Sequence, residues 1–284
     1  MISIFGAIVV TMSVIMGYVL HHGKLAVLWQ PTEVIIICGA AIGSLLISSP
    51  IGVLKEVIHM ILGVVKGGHG SKDNFIQLLI LLHDLIKTAQ TNPLSLEPHI
   101  EKPENSDIFK KCHFVVDNIP MMNFICDTLR IVILGNLSPH DLDDLMEQDI
   151  DANHHQELRV PGIITKIGDA MPGLGIVAAV LGVVITMGKM AEGKEVIGES
   201  VAAALVGTFL GILISYGYLQ PLSSRIEGII EEEGVFYSVI KSALVAYSKG
   251  LNAKISLEFA RRTIPPEFRP TFIEIEQELA KNKS

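Results

Sequence analysis

Apolar residues along the chain fall into four long runs that contain no Asp, Glu, Lys, Arg or His. The runs cover residues 1–20, 34–54, 170–188 and 200–224. A helix rises ~1.5 Å per residue, so each run is long enough to cross a hydrocarbon core of ~30 Å. The first run lacks the basic start of a signal peptide, so we expect it to be retained as a span. The pattern predicts an all-α membrane protein with four transmembrane helices.

The segments outside these runs also carry helical signals. Apolar residues recur at helical spacing in 74–89 and 120–133. Ser138 and Thr271 are predicted to cap the first turns of two helices, because each precedes an acidic residue by three positions. We therefore expect the loop between the second and third spans and the C-terminal segment to form one helical cytoplasmic domain. The predicted organisation is transmembrane helices 1 and 2 in 1–54, a cytoplasmic helical domain in 55–169, transmembrane helices 3 and 4 in 170–224, and cytoplasmic C-terminal helices in 225–284.

The distribution of basic residues predicts the orientation of the spans. The short segments 21–33 and 189–199 contain only Lys24, Lys189 and Lys194 among the 22 Lys and Arg residues. Because basic residues are concentrated on the cytoplasmic side of a membrane, we expect these two segments to face outward. Both termini and the large polar segments are then cytoplasmic.

Composition narrows the possible partners and cofactors. Hydrophobic residues make up 49% of the chain and charged residues 18%, with a mean hydropathy of +0.47. The net charge of -8 argues against a nucleic-acid partner, which requires a basic surface. Cys38, Cys112 and Cys126 have neither paired nor metal-ligand spacing, so we expect reduced thiols and no bound cofactor or metal.

The lack of ionisable residues in all four runs limits what the spans do alone. Proton and ion pathways are normally marked by an ionisable residue held within the membrane. Either the spans only anchor a cytoplasmic domain, or they line a channel whose titrating group comes from a partner chain. Small residues at 39–43 and 207–211 have the spacing that allows close helix packing, within one copy or between copies.

Three residues in the last two runs are candidates for function. Pro172 and Pro221 lie at the inner edges of these runs, where each removes a backbone donor and favours a bend. Thr208 places a hydroxyl in an otherwise apolar run, although that hydroxyl can bond the carbonyl four residues earlier.

Several distinctive strings occur in order along the chain. They are QPTE at 30–33, LE at 96–97, IEKP at 100–103, SDIF at 106–109, GDAMP at 168–172, GIVAAVLGVV at 175–184, VGTFLGIL at 206–213 and RPTFIE at 269–274. Over essentially the whole chain these strings resemble the MotA family, the stator subunits of the bacterial flagellar motor. The resemblance implies a multi-pass inner-membrane protein that turns ion flow into rotation and torque and is not an enzyme.

The resemblance also implies partners. Members of this family form a ring, a pentamer, around a dimer of MotB-like chains whose membrane aspartate carries the ion. Pro172 and Pro221 match the family's two coupling prolines, and Thr208 matches the threonine that faces the partner's aspartate. Ala179 stands where sodium-driven relatives have threonine. Since a methyl group offers sodium no oxygen ligand, we expect H⁺ rather than Na⁺ as the coupling ion.

In this family, charged cytoplasmic residues push on the rotor protein FliG. Glu97 matches the acidic rotor-facing residue, but the family's upstream arginine corresponds to Ala89 here. Lys87 is the nearest basic residue and is the candidate replacement, although Lys and Arg differ in pairing geometry.

Two other interpretations remain open at this stage. An ExbB/TolQ-like subunit would use related mechanics to energise outer-membrane transport, but such relatives have three spans and a different loop order. A membrane anchor with a purely structural domain would leave the two prolines and Thr208 unexplained.

Overall fold

The computed structural model describes residues 2–64, 70–135, 137–188 and 194–281, and this part of the chain is helical with no β-strand. The α-helices are α1 Ile2–Leu20, α2 Leu25–Leu28, α3 Pro31–Ser48, α4 Ile51–Val64, α5 Lys72–Thr91, α6 Glu97–Glu101, α7 His113–Asp117, α8 Ile119–Leu134, α9 Pro139–Glu157, α10 Arg159–Gly188, α11 Lys194–Ile214, α12 Gln220–Ser248, α13 Ala253–Thr263 and α14 Phe272–Lys281. A π-helical segment, Ser215–Leu219, lies between α11 and α12. Four helical stretches are long and apolar enough to cross a membrane.

The chain divides into two compact units. The first comprises Met1–Gly67 with Glu157–Gly228, and the second comprises Gly68–Gln156 with Ile229–Ser284. Each unit is therefore assembled from two separate stretches of sequence. The first contains the apolar helices, and the second contains most of the polar ones.

Helix ends in the first unit differ from the predicted runs. The second run was expected to cover 34–54, but α3 spans Pro31–Ser48 and α4 begins at Ile51. Pro50 explains the break, because proline lacks an amide donor and disfavours helical geometry at the preceding residue. Ser49 accordingly has an extended backbone. The predicted outer segment 189–199 falls partly on residues 189–193, which lie outside the described residues.

The first unit is built around α10 and α11. These two helices pack along each other, and α3 contacts both. The buried apolar side chains that these helices share are Ile37, Ala41, Met171 and Ala178. Helix α1 contains no buried residue and contacts the π-helical segment, where the Thr11 and Tyr218 hydroxyls lie 2.8 Å apart. Much apolar surface of this unit is therefore open to lipid or to neighbouring chains.

The second unit has a continuous apolar core. Helix α5 contributes Phe75, which stacks on Phe236 of α12 with ring centroids 4.2 Å apart. Phe268 also lies beside Phe75, with the two ring centroids 6.1 Å apart. Helices α8 and α13 add further buried side chains to this core. Residues 68–156 and 229–284 thus share one core and do not form separate domains.

The predicted helix starts in the second unit are confirmed. The Asp141 amide donates to the Ser138 hydroxyl at 3.2 Å at the start of α9. Thr271 and Glu274 form a reciprocal capping box, with the Thr271 amide donating to the Glu274 carboxylate at 2.7 Å and the Glu274 amide donating to the Thr271 hydroxyl at 3.3 Å. Gly135 ends α8 with a φ of 67°, a conformation that favours glycine.

A cluster of charges on α13 makes part of the second unit sensitive to acid. Glu258 lies 2.7 Å from both the Arg261 and the Arg262 guanidinium. The hydrogen bond from Arg261 lowers the pKa of the Glu258 carboxyl to about 2, and Arg262 adds to this effect. Because the folded-state pKa lies below the ordinary value of 4.5, the stabilisation is present above pH 4.5 and is lost as the pH falls through about 2.

Replacing Glu258 with Gln is expected to lower the melting temperature of the protein at pH 7 but to have progressively less effect as the pH falls toward 3. The measurement is calorimetry of the detergent-solubilised protein between pH 7 and 3. Glu276→Gln is the matched control, since Glu276 is more exposed and lies 3.7 Å from Lys254. An equal loss at pH 7 and pH 3 would show that the Glu258 charge is not the cause.

Candidate functional site

Helices α10 and α11 approach most closely along a seam of glycines. A β-carbon placed on Gly175 would lie 2.7 Å from the carbonyl oxygen of Gly207. One placed on Gly211 would lie 2.5 Å from the carbonyl oxygen of Met171. Real β-carbons do not approach backbone atoms this closely, so only glycine allows the contact. We call Gly175, Gly207 and Gly211 the glycine seam.

The two small-residue segments predicted from the sequence behave differently. Residues 207–211 contribute to the glycine seam, as the spacing suggested. By contrast, β-carbons placed on Gly39 and Gly43 of α3 would meet nothing within 4 Å. That face of α3 is therefore free of close contacts within the described part of this chain.

Ala179 and Thr208 are brought together at the glycine seam. A β-carbon on Gly207 would lie 3.4 Å from the Ala179 amide nitrogen, and one on Gly175 would lie 3.2 Å from the Thr208 α-carbon. Both residues are half-buried. Two of the sequence-predicted pathway residues thus share one level of the helix pair.

The Thr208 hydroxyl of α11 differs from the Thr186 hydroxyl of α10 in its hydrogen bonding. Thr186 donates to the Gly182 carbonyl at 2.8 Å, which satisfies a buried hydroxyl within its own helix. For Thr208, the structure gives no side-chain hydrogen bond to any residue that it describes. The bond to the carbonyl four residues earlier, which the sequence allowed, is not made, and the hydroxyl is available to another group.

The two candidate prolines lie at different kinds of helix position. Pro172 is inside α10, directly after Met171, whose carbonyl contacts Gly211 in the glycine seam. Pro221 is near the start of α12 and follows the π-helical segment Ser215–Leu219. A wider π turn accommodates the missing amide of a proline four residues later, and such turns are frequent at functional sites.

Hydrogen bonds tie the inner parts of α10 and α12 together. The Ser223 hydroxyl donates to the Pro161 carbonyl at 2.7 Å, and the Thr165 and Ser223 hydroxyls lie 2.8 Å apart. The Gln220 amide donates to the Asp169 carboxylate at 2.6 Å. The segments that carry Pro172 and Pro221 are thus joined by polar contacts as well as by packing.

Glu33 is a buried carboxylate that the pattern of uncharged runs did not indicate. It lies in the first turn of α3 with 6% of its surface exposed, and its Oε2 atom has no hydrogen-bond partner. A β-carbon on Gly207 would lie 2.6 Å from this oxygen. The uncharged run starts one residue later, at Val34, but Pro31 was a usable signal, because proline is common at the first position of a helix. The run 34–54 itself is uncharged, but α3 begins three residues earlier, at Pro31, and therefore carries one ionisable group in its first turn.

The two residues predicted to face the rotor are both on the surface of the second unit. Lys87 is exposed near the end of α5, and Glu97 is exposed at the start of α6. Neither forms an ion pair with the residues that the structure describes. Ala89, which takes the place of the family's arginine, is only 2% exposed. Lys87 is therefore better placed than residue 89 to offer a positive charge to a partner.

Two of the three cysteines, Cys112 and Cys126, are buried in the core of the second unit. Burial raises the pKa of the Cys112 thiol to about 12 and that of the Cys126 thiol to about 11, so both are protonated at neutral pH. In the described ranges, no group of three or more His, Cys, Asp or Glu side chains is arranged to hold a metal ion.

Family models and individual relatives match this chain over nearly its whole length. Residues 4–93 match the family model "Motility protein A N-terminal", and residues 117–235 match the "MotA/TolQ/ExbB proton channel family". The chain is 36% identical to chemotaxis protein LafT of Vibrio parahaemolyticus over 279 residues, and this aligned region covers 98% of each chain. It is 34% identical over 286 residues to motility protein A of Escherichia coli, covering 100% of this chain and 97% of the relative.

Solved structures show the same fold. The MotAB structure from C. jejuni matches with a TM-score of 0.75 at 17% identity, covering 93% of this chain and 95% of that chain. The flagellar MotAB stator complex from Bacillus subtilis matches with a TM-score of 0.75 at 21% identity, covering 94% and 97%.

Proposed function

The chain belongs to the MotA/TolQ/ExbB proton channel family, and we propose that it is a stator subunit of a bacterial flagellar motor. It is a multi-pass inner-membrane protein that converts ion flow into rotation. The observation that carries this proposal is the similarity of 34–36% over the full length to proteins named motility protein A and LafT. The glycine seam supports it, because the seam brings Ala179 and Thr208 to one place on the helix pair.

The function requires a partner chain in the membrane. The solved structures of similar fold are named as complexes of MotA with MotB, and we propose a MotB-like partner that supplies a membrane aspartate. Exposed apolar helix α1 and the uncontacted glycine face of α3 provide surfaces for that partner and for further copies of this chain. A ring of five copies is the arrangement that the family resemblance implies.

We propose that the ion passes where the Thr208 hydroxyl faces the partner's aspartate. This hydroxyl makes no hydrogen bond to a described residue of the chain, whereas Ala179 at the same level of the helix pair offers only a methyl group. Sodium must exchange its hydration waters for protein oxygens, and a methyl group provides none. A proton needs no such ligand shell, so H⁺ is the proposed coupling ion.

Swimming is therefore expected to stop when a proton uncoupler is added and to be unchanged when sodium in the medium is replaced by potassium. The measurement is swimming speed of cells that carry this chain as their stator subunit. Speed that follows sodium concentration and resists the uncoupler would contradict proton coupling. Ala179→Thr alone is not expected to confer sodium use, because one hydroxyl does not complete a ligand shell.

Pro172 and Pro221 are proposed to couple the ion site to cytoplasmic movement. Pro172 follows Met171, whose carbonyl oxygen packs against Gly211 in the glycine seam, and Pro221 follows a π-helical segment. Each position lacks one backbone hydrogen bond, and local rearrangement there costs less than in a regular helix.

Glu97 and Lys87 are proposed to contact the rotor protein FliG. Glu97→Lys is expected to reduce motility severalfold, because it places a positive charge on a surface that approaches a charged partner. A reciprocal charge reversal on FliG is expected to restore motility. Swarm diameter in soft agar is the measurement, and Asp151→Lys, a charge reversal at an exposed residue of α9, is the control. Failure of every reciprocal change would count against an electrostatic contact.

Deleting the gene tests the proposed function. Cells are expected to assemble flagella that are visible by electron microscopy but do not rotate, and a plasmid copy is expected to restore swimming. Normal swimming combined with a defect in receptor-dependent uptake would instead favour an ExbB/TolQ-like energiser of outer-membrane transport.

A further inference from the structure

We propose that Glu33 is a proton-binding site of this chain, which takes up the transported proton on the outer side of the Ala179 and Thr208 level and passes it toward the partner's aspartate. The inference rests on the proposed function, since it assigns a further residue to the same pathway. The chemistry is a simple proton transfer. A hydronium ion of the outer water loses an O–H bond as one forms on the Glu33 carboxylate, and that bond breaks when the proton moves to the next acceptor.

The position of the carboxylate relative to the pathway follows from two antiparallel helices. Glu33 Oε1 would lie 3.8 Å from a β-carbon on Gly182 of α10, and that β-carbon would lie 2.8 Å from the Ala204 side chain of α11. Gly182 follows Ala179 in α10, and Ala204 precedes Thr208 in α11. Because α10 runs outward and α11 runs inward in the proposed orientation, Gly182 and Ala204 lie about one turn outside the Ala179 and Thr208 level. The carboxylate extends from there to Gly207, where an added β-carbon would lie 2.6 Å from Oε2.

The described residues that the glycine contacts place next to the carboxylate are small and uncharged. Its two oxygens lie against Gly182 of α10 and Gly207 of α11, and the side chains nearest to these glycines are Ala204 and Ala178. Oε2 has no hydrogen-bond partner among the described residues. A buried carboxylate without a partner is costly when ionised, and an apolar side chain would fill the same space at lower cost. A carboxylate buried in the first turn of a candidate membrane span is best explained by proton binding.

Glycine at position 207 makes the approach of this carboxylate possible. A β-carbon there would lie 2.6 Å from Oε2 and 3.2 Å from the Ala178 side chain. Gly207 is adjacent to Thr208, so the carboxylate reaches the residue next to the proposed ion contact. The same glycine therefore serves the packing of α10 on α11 and the placement of Glu33.

The test compares Glu33→Gln and Glu33→Asp in the complex of this chain with its MotB-like partner. Proton flux into liposomes that contain the complex is measured, together with motor speed in cells as a function of external pH. Glu33→Gln keeps the shape of a protonated Glu but cannot exchange a proton, and its flux is expected to fall on the order of tenfold or more. Glu33→Asp is expected to retain flux with a shifted pH dependence. Glu56→Gln, at an exposed residue of α4, is the control and is expected to be unchanged.

Infrared spectroscopy supplies an independent readout. The difference between the infrared spectra of the unaltered complex and of Glu33→Gln is expected to contain one pH-dependent carbonyl band of a protonated carboxylic acid, in addition to the band that the partner's aspartate gives in both. If Glu33→Gln does not assemble with the partner, Glu33→Asp decides, because a purely structural role leaves the pH dependence of speed unchanged.

Two results separate this inference from the proposed function. Unaltered flux and pH dependence in Glu33→Gln, alongside an active unaltered complex, would overturn the proton-binding role and leave the stator function intact. An unaltered complex that neither conducts protons nor rotates a motor would overturn both.

Discussion

Replacing Gly175 with Ala is expected to abolish motility and to reduce the amount of protein assembled in the membrane. The added methyl group would lie 2.7 Å from the Gly207 carbonyl oxygen, which is part of a helix backbone and cannot rotate away. Helices α10 and α11 must then separate, and overpacking of this kind costs about 1–3 kcal/mol or more. The separation also displaces Thr208, whose α-carbon lies 3.2 Å from the same methyl position.

Gly162→Ala is the matched control for Gly175→Ala. It is on the same helix, and a β-carbon there would meet nothing within 4 Å. Since alanine favours a helix by about 1 kcal/mol relative to glycine, this variant is expected to be at least as stable as the parent. Swimming in soft agar and membrane abundance by immunoblotting are the measurements. Equal behaviour of the two variants would mean that the glycine seam is not a close contact in the assembled protein.

Replacing Phe236 with Ala is expected to destabilise the second unit by about 3–5 kcal/mol, the usual range for a buried aromatic side chain. Phe236 is fully buried and stacks on Phe75, with a tilted contact to Phe114 at 5.1 Å. The truncated side chain would leave a cavity between α5 and α12, so the core loses contacts on both sides.

Denaturant unfolding of the detergent-solubilised protein measures this effect. The control is Phe259→Ala, because Phe259 is 52% exposed on α13 of the same unit and is expected to lose far less stability. Similar losses for Phe236→Ala and Phe259→Ala would contradict the arrangement of the aromatic core.

Most helices of this fold were predictable from the sequence, because the signals that set them are local. Uncharged runs identify the apolar helices, and capping residues at Ser138 and Thr271 mark the starts of α9 and α14. Helix ends in the apolar part were less predictable. The charges of Lys166 and Asp169 mark an edge of the third run, but a helix continues through them, and α10 begins at Arg159.

The candidate site was predictable only in part, because its geometry depends on contacts between distant segments. The spacing of Gly207 and Gly211 indicated a close approach, but nothing in the sequence showed that Gly175 is the residue that meets them. Glu33 was overlooked for the same reason. Its burial depends on α10 and α11, and a carboxylate at the edge of an apolar run normally lies in the membrane interface. The π-helical segment before Pro221 likewise has no compositional signal.

The residues predicted to face the rotor could also be predicted only in part from the sequence. The resemblance identified Glu97 and the substitution at Ala89, but sequence spacing alone did not show which nearby side chain is accessible. The structure leaves Lys87 and Glu97 exposed and buries Ala89. Burial on α5 is set by packing against α13 and α14, which are far away in the sequence.

The most direct test of the central claim is the rotation of single motors while expression of this chain is induced in cells that lack the gene. Cells are tethered by one flagellum, and their rotation speed is recorded over time. If the chain is a torque-generating stator subunit, motors start from rest and gain speed in equal steps as complexes are added. Motors that rotate before induction, or that stay at rest although the chain accumulates in the membrane with its partner, would contradict the account.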